Sequence, residues 1–227
     1  MNDHLAPFVN PALVSSYVRD TPRKIPGLAD LHRMTTQLLS EQAAGAAQML
    51  VIGAGGGLEI RAMARARPDW RFTGVDPSPA MLDIARHTTS ACAGRTDLLL
   101  GTAVDAPLGR FDGAVCLFTP HFLDRRERLQ TLQEIRNRLK PGGVFIAAHH
   151  TAVGKAETWL ARSAAFAGRG SGDPRKAAAS ARAMAEQLPL LSPDEEEDCF
   201  REAGFPEQAL FYAAFSFRGW VMTAPEH

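Results

Sequence analysis

A glycine-rich turn between two short apolar runs constrains the fold of this chain more than any other feature. The run Met49–Ile52 leads into Gly53, Ala54 and three further glycines, and the next apolar run ends at Asp76. This order is typical of a buried strand, a tight turn, a helix and a second strand that ends in a carboxylate. Glycines let the backbone approach a ligand, and an acid at the tip of the next strand can accept hydrogen bonds from both hydroxyls of a ribose. The segment therefore predicts a nucleoside-cofactor site, although such a turn also occurs without any ligand.

Length and composition limit the organisation of the chain. With 227 residues and 45% hydrophobic content, it can bury one full core, so we expect a single domain over residues 1–227 with one insertion. The 25 basic and 25 acidic residues balance, and we therefore expect no direct binding to nucleic acid or to a membrane surface. No apolar run reaches the roughly 20 residues of a membrane span, and the first residues do not resemble a signal peptide. We expect a cytoplasmic protein.

The cysteines give no sign of a disulfide framework or of a metal site. Cys92, Cys116 and Cys199 are odd in number and have no paired spacing. Cys116 lies inside an apolar run and is interpreted as a small core residue. We expect no bound metal.

Strand-like and helix-like segments alternate along the chain. This alternation is typical of a parallel sheet that is covered by helices on both faces, which is a doubly wound α/β fold. Polar residues mark where helices begin, with Ser78 before Pro79 and Asp124 three residues before Glu127. The sequence Lys140–Gly143 is expected to stop the second of these helices. The predicted parallel strands are Gln48–Ala54, Arg71–Asp76, Thr96–Thr102, Phe111–Phe118 and Val144–His149.

The C-terminal part of the chain distinguishes a nicotinamide-binding domain from domains that bind other nucleoside cofactors. After a helix that begins near Ser192, two apolar runs, Glu207–Phe215 and Ser216–Thr223, are joined so closely that they can pair only antiparallel. Five parallel strands followed by such a hairpin are unlike a nicotinamide-binding domain. A nicotinamide oxidoreductase is therefore disfavoured.

These segments resemble the class I S-adenosylmethionine-dependent methyltransferases. Residues 51–57 resemble their glycine motif, residues 74–78 their acidic loop, residues 101–103 their adenine-edge loop, and residues 139–143 the turn before their fifth strand. The resemblance implies a Rossmann-like sheet of seven strands with a helical cap. It also implies S-adenosyl-L-methionine as cofactor and S-adenosyl-L-homocysteine as product.

Within that class the chain is most similar to the carboxy-S-adenosylmethionine synthase group, which acts in tRNA wobble-uridine modification. The similarity departs at Leu28, Thr102 and Leu117, where the group has tyrosine, aspartate and asparagine. An arginine of the group's insertion holds the extra carboxylate of its cofactor, and Arg182 lies near the matching place, although it is also interpretable as a solvated surface charge. The similar stretches are 25–27, 77–81, 117–123, the helical insertion and 215–217.

The resemblance and the strand-end geometry together give a set of candidate cofactor-binding residues. The glycine turn would face the carboxylate and ribose of the cofactor, Asp76 would accept from the ribose diol, and the others would surround the adenine or, for Arg182, meet a carboxylated cofactor. The candidates are Gly53, Ala54, Gly55, Gly57, Asp76, Pro77, Met81, Thr102, Ala103, Leu117 and Arg182.

Three histidines are candidate general bases. His121 follows the fourth predicted strand, and His149 and His150 lie at the end of the fifth, where open α/β sheets bind ligands. A neutral imidazole suits proton removal near neutral pH. Because adjacent residues leaving a strand point in opposite directions, at most one of His149 and His150 is expected to face the site. Packing or capping roles remain open for all three.

Two regions outside the parallel core are expected to cover the site and to set substrate choice. These are an N-terminal helical cap over residues 1–45, which carries Tyr17 and Arg33, and a helical lid insertion over residues 152–190. The glycines between 168 and 174 are expected to form a hinge in the lid. Apolar lid residues such as Trp159 and Phe166 indicate a small-molecule pocket or a homodimer surface.

The combined interpretation is an S-adenosylmethionine-dependent methyltransferase that acts on a small-molecule acceptor by direct in-line transfer. The alternative is a carboxy-S-adenosylmethionine synthase-like enzyme. A cofactor-binding protein without catalysis remains a third reading of the same motifs.

Overall fold

The computed structural model describes residues 11–109, 111–168 and 173–226. The helices in these ranges are α1 Pro11–Lys24, α2 Leu28–Gln42, α3 Leu58–Ala66, α4 Pro79–Thr88, α5 Arg125–Arg138, α6 Ala156–Ala167, α7 Pro174–Gln187 and α8 Pro193–Glu202. The strands are β1 Gln48–Ile52, β2 Arg71–Asp76, β3 Thr96–Leu100, β4 Phe111–Leu117, β5 Leu139–His150, β6 Gln208–Ala214 and β7 Phe217–Thr223.

The strands form one seven-stranded sheet in the order β3-β2-β1-β4-β5-β7-β6. Strands β1 to β5 run parallel to one another, and β7 pairs antiparallel with both β5 and β6. This arrangement confirms the predicted sheet and its C-terminal hairpin. The strand order switches between β1 and β4: strands β1 to β3 are added toward one edge of the sheet, and β4 and β5 toward the other. Open α/β sheets bind ligands in the crevice at such a switch point.

Several strand ends differ from the prediction. Strand β1 stops at Ile52 because the N–H groups of Gly53 and Ala54 turn to donate to the Val75 carbonyl, at 2.8 and 3.0 Å. Strand β3 stops at Leu100 because a 3-10 turn begins immediately beyond Gly101.

The turn residues 140–143 follow the end of their helix closely, as predicted, but the fifth strand begins earlier than the predicted Val144. Helix α5 ends at Arg138, and strand β5 already begins at Leu139. The turn residues hydrogen-bond to the C-terminal segment. Gly142 N–H donates to the Ala224 carbonyl at 3.1 Å, and Ala224 N–H donates to the Gly143 carbonyl at 2.9 Å.

The predicted helix starts are confirmed. Asp124 accepts from Glu127 N–H at 2.8 Å, and Glu127 accepts in return from Asp124 N–H at 3.2 Å, so the two form a capping box. Ser78 Oγ accepts from Met81 N–H at 3.3 Å ahead of Pro79. These contacts fix where helices leave the strand ends.

Successive side chains of β1 point to opposite faces of the sheet, and the core therefore lies in two layers. Met49 and Val51 pack on one face with Leu31 and Leu39 of α2, whereas Leu50 and Ile52 pack on the other with residues of α5 and α8. Leu132 and Ile135 of α5 are buried in this second layer. Burial on both faces explains why β1 is a continuous apolar run.

The three cysteines are free and buried, and Cys116 is a core residue as predicted. In the part of the chain that the structure describes, no helix is long and apolar enough to cross a membrane.

A buried ion pair joins two helices on the second face. Arg128 of α5 and Glu196 of α8 are 1% and 0% exposed and form a direct salt bridge. The Arg128 guanidinium also donates to the carbonyls of Leu123 and Pro189, at 3.0 and 2.9 Å. One cation therefore holds α5, α8 and the loops that precede them.

Glu196→Ala should destabilise the protein by about 3–5 kcal/mol, because it leaves the Arg128 charge buried without its partner. The free energy of unfolding, measured in urea, tests this. The matched control is Glu202→Ala, which removes the partner of Arg125 from an exposed pair and should cost at most about 1 kcal/mol. Equal losses for the two variants would contradict a special role for the buried pair.

Candidate active site at the strand ends

The glycine loop adopts backbone angles that favour glycine. Gly53, Gly55 and Gly57 have φ values of +70°, +46° and +72°. At Gly53 a side chain is also excluded by contact, since a Cβ would lie 1.9 Å from Thr119 Oγ1 in the loop after β4. At Gly55 the nearest atoms to a Cβ would be 3.5 Å away, so the positive φ is the stronger reason for glycine there.

Asp76 holds this loop in place. One carboxylate oxygen accepts from Gly55 N–H at 2.8 Å, and the other accepts from Ser78 N–H at 2.9 Å. Burial raises the pKa of Asp76, and the two backbone donors oppose that rise. Each oxygen keeps a second lone pair, so the carboxylate can still accept hydrogen bonds from a ligand.

The structure brings part of the predicted cofactor set together around this loop. Met81 is buried, and its Cε lies 3.5 Å from the position of a Cβ on Gly55. Ala54, Ala103 and Leu117 are buried, whereas Pro77 is half-buried. Met81 is thus the predicted apolar contact that the structure places directly at the loop.

Two predicted residues have other contacts. Thr102 is exposed, and both its N–H and its hydroxyl contact the Asp105 carboxylate, at 2.8 and 3.2 Å. Arg182 lies exposed on α7, where the adjacent Ala181 is the buried residue. Among the described residues Arg182 has no hydrogen-bond or ion-pair partner.

Tyr17 of α1 covers the glycine loop. A Cβ on Gly56 would lie 2.8 Å from Tyr17 Cδ1, and a Cβ on Gly55 would lie 3.5 Å from the Tyr17 hydroxyl oxygen. Burial, and after it the charge of Glu59, raises the pKa of Tyr17. Sequence reasoning identified Tyr17 only as a residue of the cap, because nothing in its surroundings indicates the contact. Arg33, the other cap residue considered, is exposed and pairs with Asp30 at 3.0 Å.

Glu59 is a buried acid that sequence reasoning missed. Its side chain lies in the first turn of α3, and the residue is 8% exposed. Burial raises the pKa of this carboxyl to about 8, and the charge of Asp76 adds to the rise. An acid in the first turn of a helix is so common that the sequence alone gave no reason to single it out.

The two adjacent histidines face opposite sides of the sheet. The His149 ring is fully buried, lies 5.8 Å from the Trp220 ring, and brings Nε2 within 2.8 Å of Glu196 Oε1, although this approach lacks hydrogen-bond geometry. The His150 ring stacks on Phe217 with centroids 3.8 Å apart. This agrees with the expectation that strand geometry separates them.

A hydroxyl chain holds the His150 ring. His150 Nδ1 lies 2.7 Å from Ser216 Oγ, which in turn lies 2.7 Å from Ser163 Oγ of α6. Burial, followed by the nearby His149, lowers the pKa of His150 to about 3. The ring is therefore neutral near pH 7, and its orientation is fixed by Ser216, which a side chain of the lid contacts in turn.

His121 lies between the other two histidines. Its ring centroid is 5.2 Å from that of His150 and 6.5 Å from that of His149. The residue is 5% exposed, and its Nδ1 has no hydrogen-bond partner among the described residues. Burial lowers the pKa of His121 well below its usual value, and the neighbouring histidines add to the effect. A neutral imidazole of this kind can accept a proton or a hydrogen bond.

The lid insertion contains α6 and α7. Leu160 of α6 is buried, Phe166 is 43% exposed, and the Arg162 guanidinium lies 4.3 Å from the centre of the Trp159 ring. The predicted hinge at 168–174 lies largely outside the described residues.

The chain matches a family model described as a methyltransferase domain, over residues 50–145. Among curated proteins, it is 31% identical to a carboxy-S-adenosyl-L-methionine synthase of Campylobacter lari over 124 residues, which are 55% of this chain and 53% of that protein. A synthase of the same name from Sodalis glossinidius is 26% identical over 214 residues, 90% of this chain and 85% of that protein. The match to the first relative thus spans about half of that protein's length.

Solved structures share the fold. A putative O-methyltransferase from Nostoc punctiforme superposes with a TM-score of 0.69 at 21% identity, covering 95% of this chain and 61% of that one. The structure described as PigF with SAH also gives 0.69, at 20% identity, covering 96% of this chain and 61% of that one. This chain has the class I methyltransferase fold. The predicted resemblance to that class, nearest the carboxy-S-adenosylmethionine synthases, is confirmed, and the predicted cofactor agrees with the family model that residues 50–145 match.

Proposed function

We propose that this protein binds S-adenosyl-L-methionine at the glycine loop and transfers its methyl group to a small-molecule acceptor. The observation that carries the proposal is the Asp76 carboxylate, which is bound to Gly55 N–H at the switch point of the sheet. Ligands of open α/β sheets bind at this place, and a carboxylate there suits a ribose diol.

The residues present fit this cofactor. Asp76 retains acceptor capacity on both oxygens, the positive φ at Gly55 keeps the loop free of side chains, and Met81 offers an apolar wall. Ala103, which follows β3, and Leu117, which ends β4, are both buried apolar residues at strand ends. The predicted contacts from Thr102 and Arg182 receive less support, since one is committed to Asp105 and the other is exposed.

The cofactor supplies an already activated methyl group on its sulfonium, so the protein needs few catalytic groups. Its own residues have to hold the acceptor in line, exclude water, and take a proton where the acceptor atom carries one. His150 and His121 are suited to that last task because both are neutral and lie at the ends of the parallel strands. His149 is suited less, since it lies on the opposite face beside Glu196.

A small acceptor is supported by what surrounds the strand ends. Aromatic rings at Phe118 and Phe217 lie beside His150, with the two phenyl centroids 5.8 Å apart. The chain has equal numbers of basic and acidic residues, 25 of each, so its net charge does not favour a polyanionic substrate.

Asp76→Ala should weaken S-adenosylhomocysteine binding by about 2–4 kcal/mol, because two charge-assisted hydrogen bonds to the ribose would be lost. It should also reduce the free energy of unfolding by about 1–3 kcal/mol, since Gly55 N–H and Ser78 N–H would lose their acceptor. Calorimetric titration and urea unfolding measure the two effects. Asp83→Ala, which changes an exposed acid of α4, is the control. An Asp76→Ala protein that is folded and binds with unchanged affinity would refute the assignment.

His150→Ala should lower turnover by about 10²–10⁴ without weakening cofactor binding, if this ring takes the proton of the acceptor. The rate of S-adenosylhomocysteine formation, with an acceptor found in a panel of small hydroxyl- and amino-bearing compounds, is the measurement. His87→Ala, at an exposed position of α4, is the control. Losses of only a fewfold for both His150→Ala and His121→Ala would indicate an acceptor that needs no base.

The second candidate function is synthesis or use of carboxy-S-adenosylmethionine, and the names of the curated relatives favour it. This reaction would require a cation for the additional carboxylate. The exposed position of Arg182 and the apolar side chains of Leu28 and Leu117 give it less support than methyl transfer.

Arg182→Ala separates the two candidates. For a methyltransferase, the wild-type protein should prefer S-adenosylmethionine, and the variant should change neither affinity. For a carboxylated cofactor, the variant should lose about 1.5–3 kcal/mol toward carboxy-S-adenosylmethionine only, because a bidentate arginine–carboxylate pair is lost. Titration of both proteins with both cofactors measures this. We expect the first result, and copurification of the carboxylated cofactor with the wild-type protein would overturn it.

A further inference from the structure

Glu59 is a buried carboxyl to which the proposed reaction gives no role. Glu59 is 8% exposed, and within the described part of the chain its carboxyl forms no ion pair. Its one backbone donor is its own N–H. A buried acid without a counter-charge costs stability, so its presence requires an explanation.

The position of Glu59 links it to the glycine loop. It is the second residue of α3 and follows Gly57 by two positions. Besides burial, which has the larger effect, the charge of Glu59 raises the pKa of Tyr17 on α1 and that of Cys116 on β4. The charge of Asp76 on β2 in turn adds to the raised pKa of Glu59. The same three elements meet at the glycine loop, since Tyr17 of α1, Thr119 after β4 and Asp76 of β2 each lie against one of its glycines. Tyr17, Cys116 and Asp76 carry no positive charge.

We propose that Glu59 binds the α-ammonium group of the methionine moiety of the cofactor. The inference rests on the proposed function, since it needs S-adenosylmethionine or S-adenosylhomocysteine at the glycine loop. With Asp76 assigned to the ribose, and with the N–H groups of Gly53, Ala54, Gly55 and Gly57 already bonded within the protein, the ammonium is a charged group of the ligand that still needs an acceptor.

An ammonium is a better match than a metal ion or the sulfonium. Metal sites combine several ligands, and no group of three histidine, cysteine or acidic side chains is placed to bind a metal within the described ranges. The sulfonium has no N–H to donate and must face the acceptor.

The test compares S-adenosylhomocysteine with 5′-methylthioadenosine, which lacks the amino-acid portion. Glu59→Gln should weaken binding of the first ligand about tenfold or more and leave the second unchanged, because only the first carries the ammonium. Glu41→Gln, at an exposed position at the end of α2, should change neither. Calorimetric titration of the three proteins measures this.

Stability without ligand separates binding from a structural role. The pKa of Glu59 rises from 4.5 to about 8 in the folded protein, so its contribution to stability is present at low pH and is lost as pH rises between these values. Because glutamine does not titrate, ligand-free Glu59→Gln should be at least as stable as the wild type at pH 8. A lower melting temperature together with equal effects on both ligands would identify Glu59 as a helix-start residue and overturn the inference.

A measurement on the wild-type protein needs no variant. Binding of S-adenosylhomocysteine near pH 7 should release a proton from Glu59, whereas 5′-methylthioadenosine should release none, as shown by titrations in buffers of different ionisation enthalpy. Tyr17 and Cys116, which face Glu59 from α1 and β4, stay protonated at this pH, and Asp76 is common to both ligands. Equal proton release would overturn the inference. Failure of the wild type to bind either ligand would instead refute the proposed function.

Discussion

The contact between the Asp76 carboxylate and Gly55 N–H is the interaction on which the candidate site depends. It joins the tip of β2 to the turn after β1 over 2.8 Å, and Ser78 N–H, which starts the next helix, binds the other oxygen. One side chain thus fixes the ends of two strands, a glycine loop and a helix N-terminus. Because an acid shared by two backbone donors is held in one orientation, its remaining lone pairs are aimed before any ligand arrives. The cost of burying the carboxylate is offset by the same two donors.

The two histidines at the end of β5 lie in different polar surroundings on the two faces of the sheet. On one face, His149 joins a buried cluster with Arg128 and Glu196 that ties helices together. On the other, His150 is oriented by Ser216 next to His121, in a neutral and largely dry environment. Because its residues alternate between the two faces, a single strand supplies both a member of the buried cluster and the ring proposed as proton acceptor.

The fold was predictable from local signals, whereas parts of the site were not. The apolar runs, the caps at Ser78 and Asp124 and the close spacing of the last two strands act within a few residues, and they gave the seven-stranded sheet. The contact of Tyr17 with the glycine loop joins residues almost 40 positions apart in sequence, and it depends on how α1 packs. Glu59 is ordinary in sequence and becomes unusual only through burial. The start of the fifth strand was predicted too late, at Val144 instead of Leu139, because Gly142 and Gly143 pair with the C-terminal segment, a long-range contact that local turn preference does not show.

The position of Tyr17 has a consequence for how the family resemblance should be read. The matched methyltransferase domain starts at residue 50, so α1 precedes it entirely. The glycine loop thus lies inside the matched segment, while the tyrosine ring that lies against it comes from outside that segment. Because a ring lying on the loop has to withdraw before a nucleoside can enter or leave, the rate at which a bound nucleoside exchanges would depend on α1. Residence time, unlike ligand identity, would be a property of the N-terminal helix.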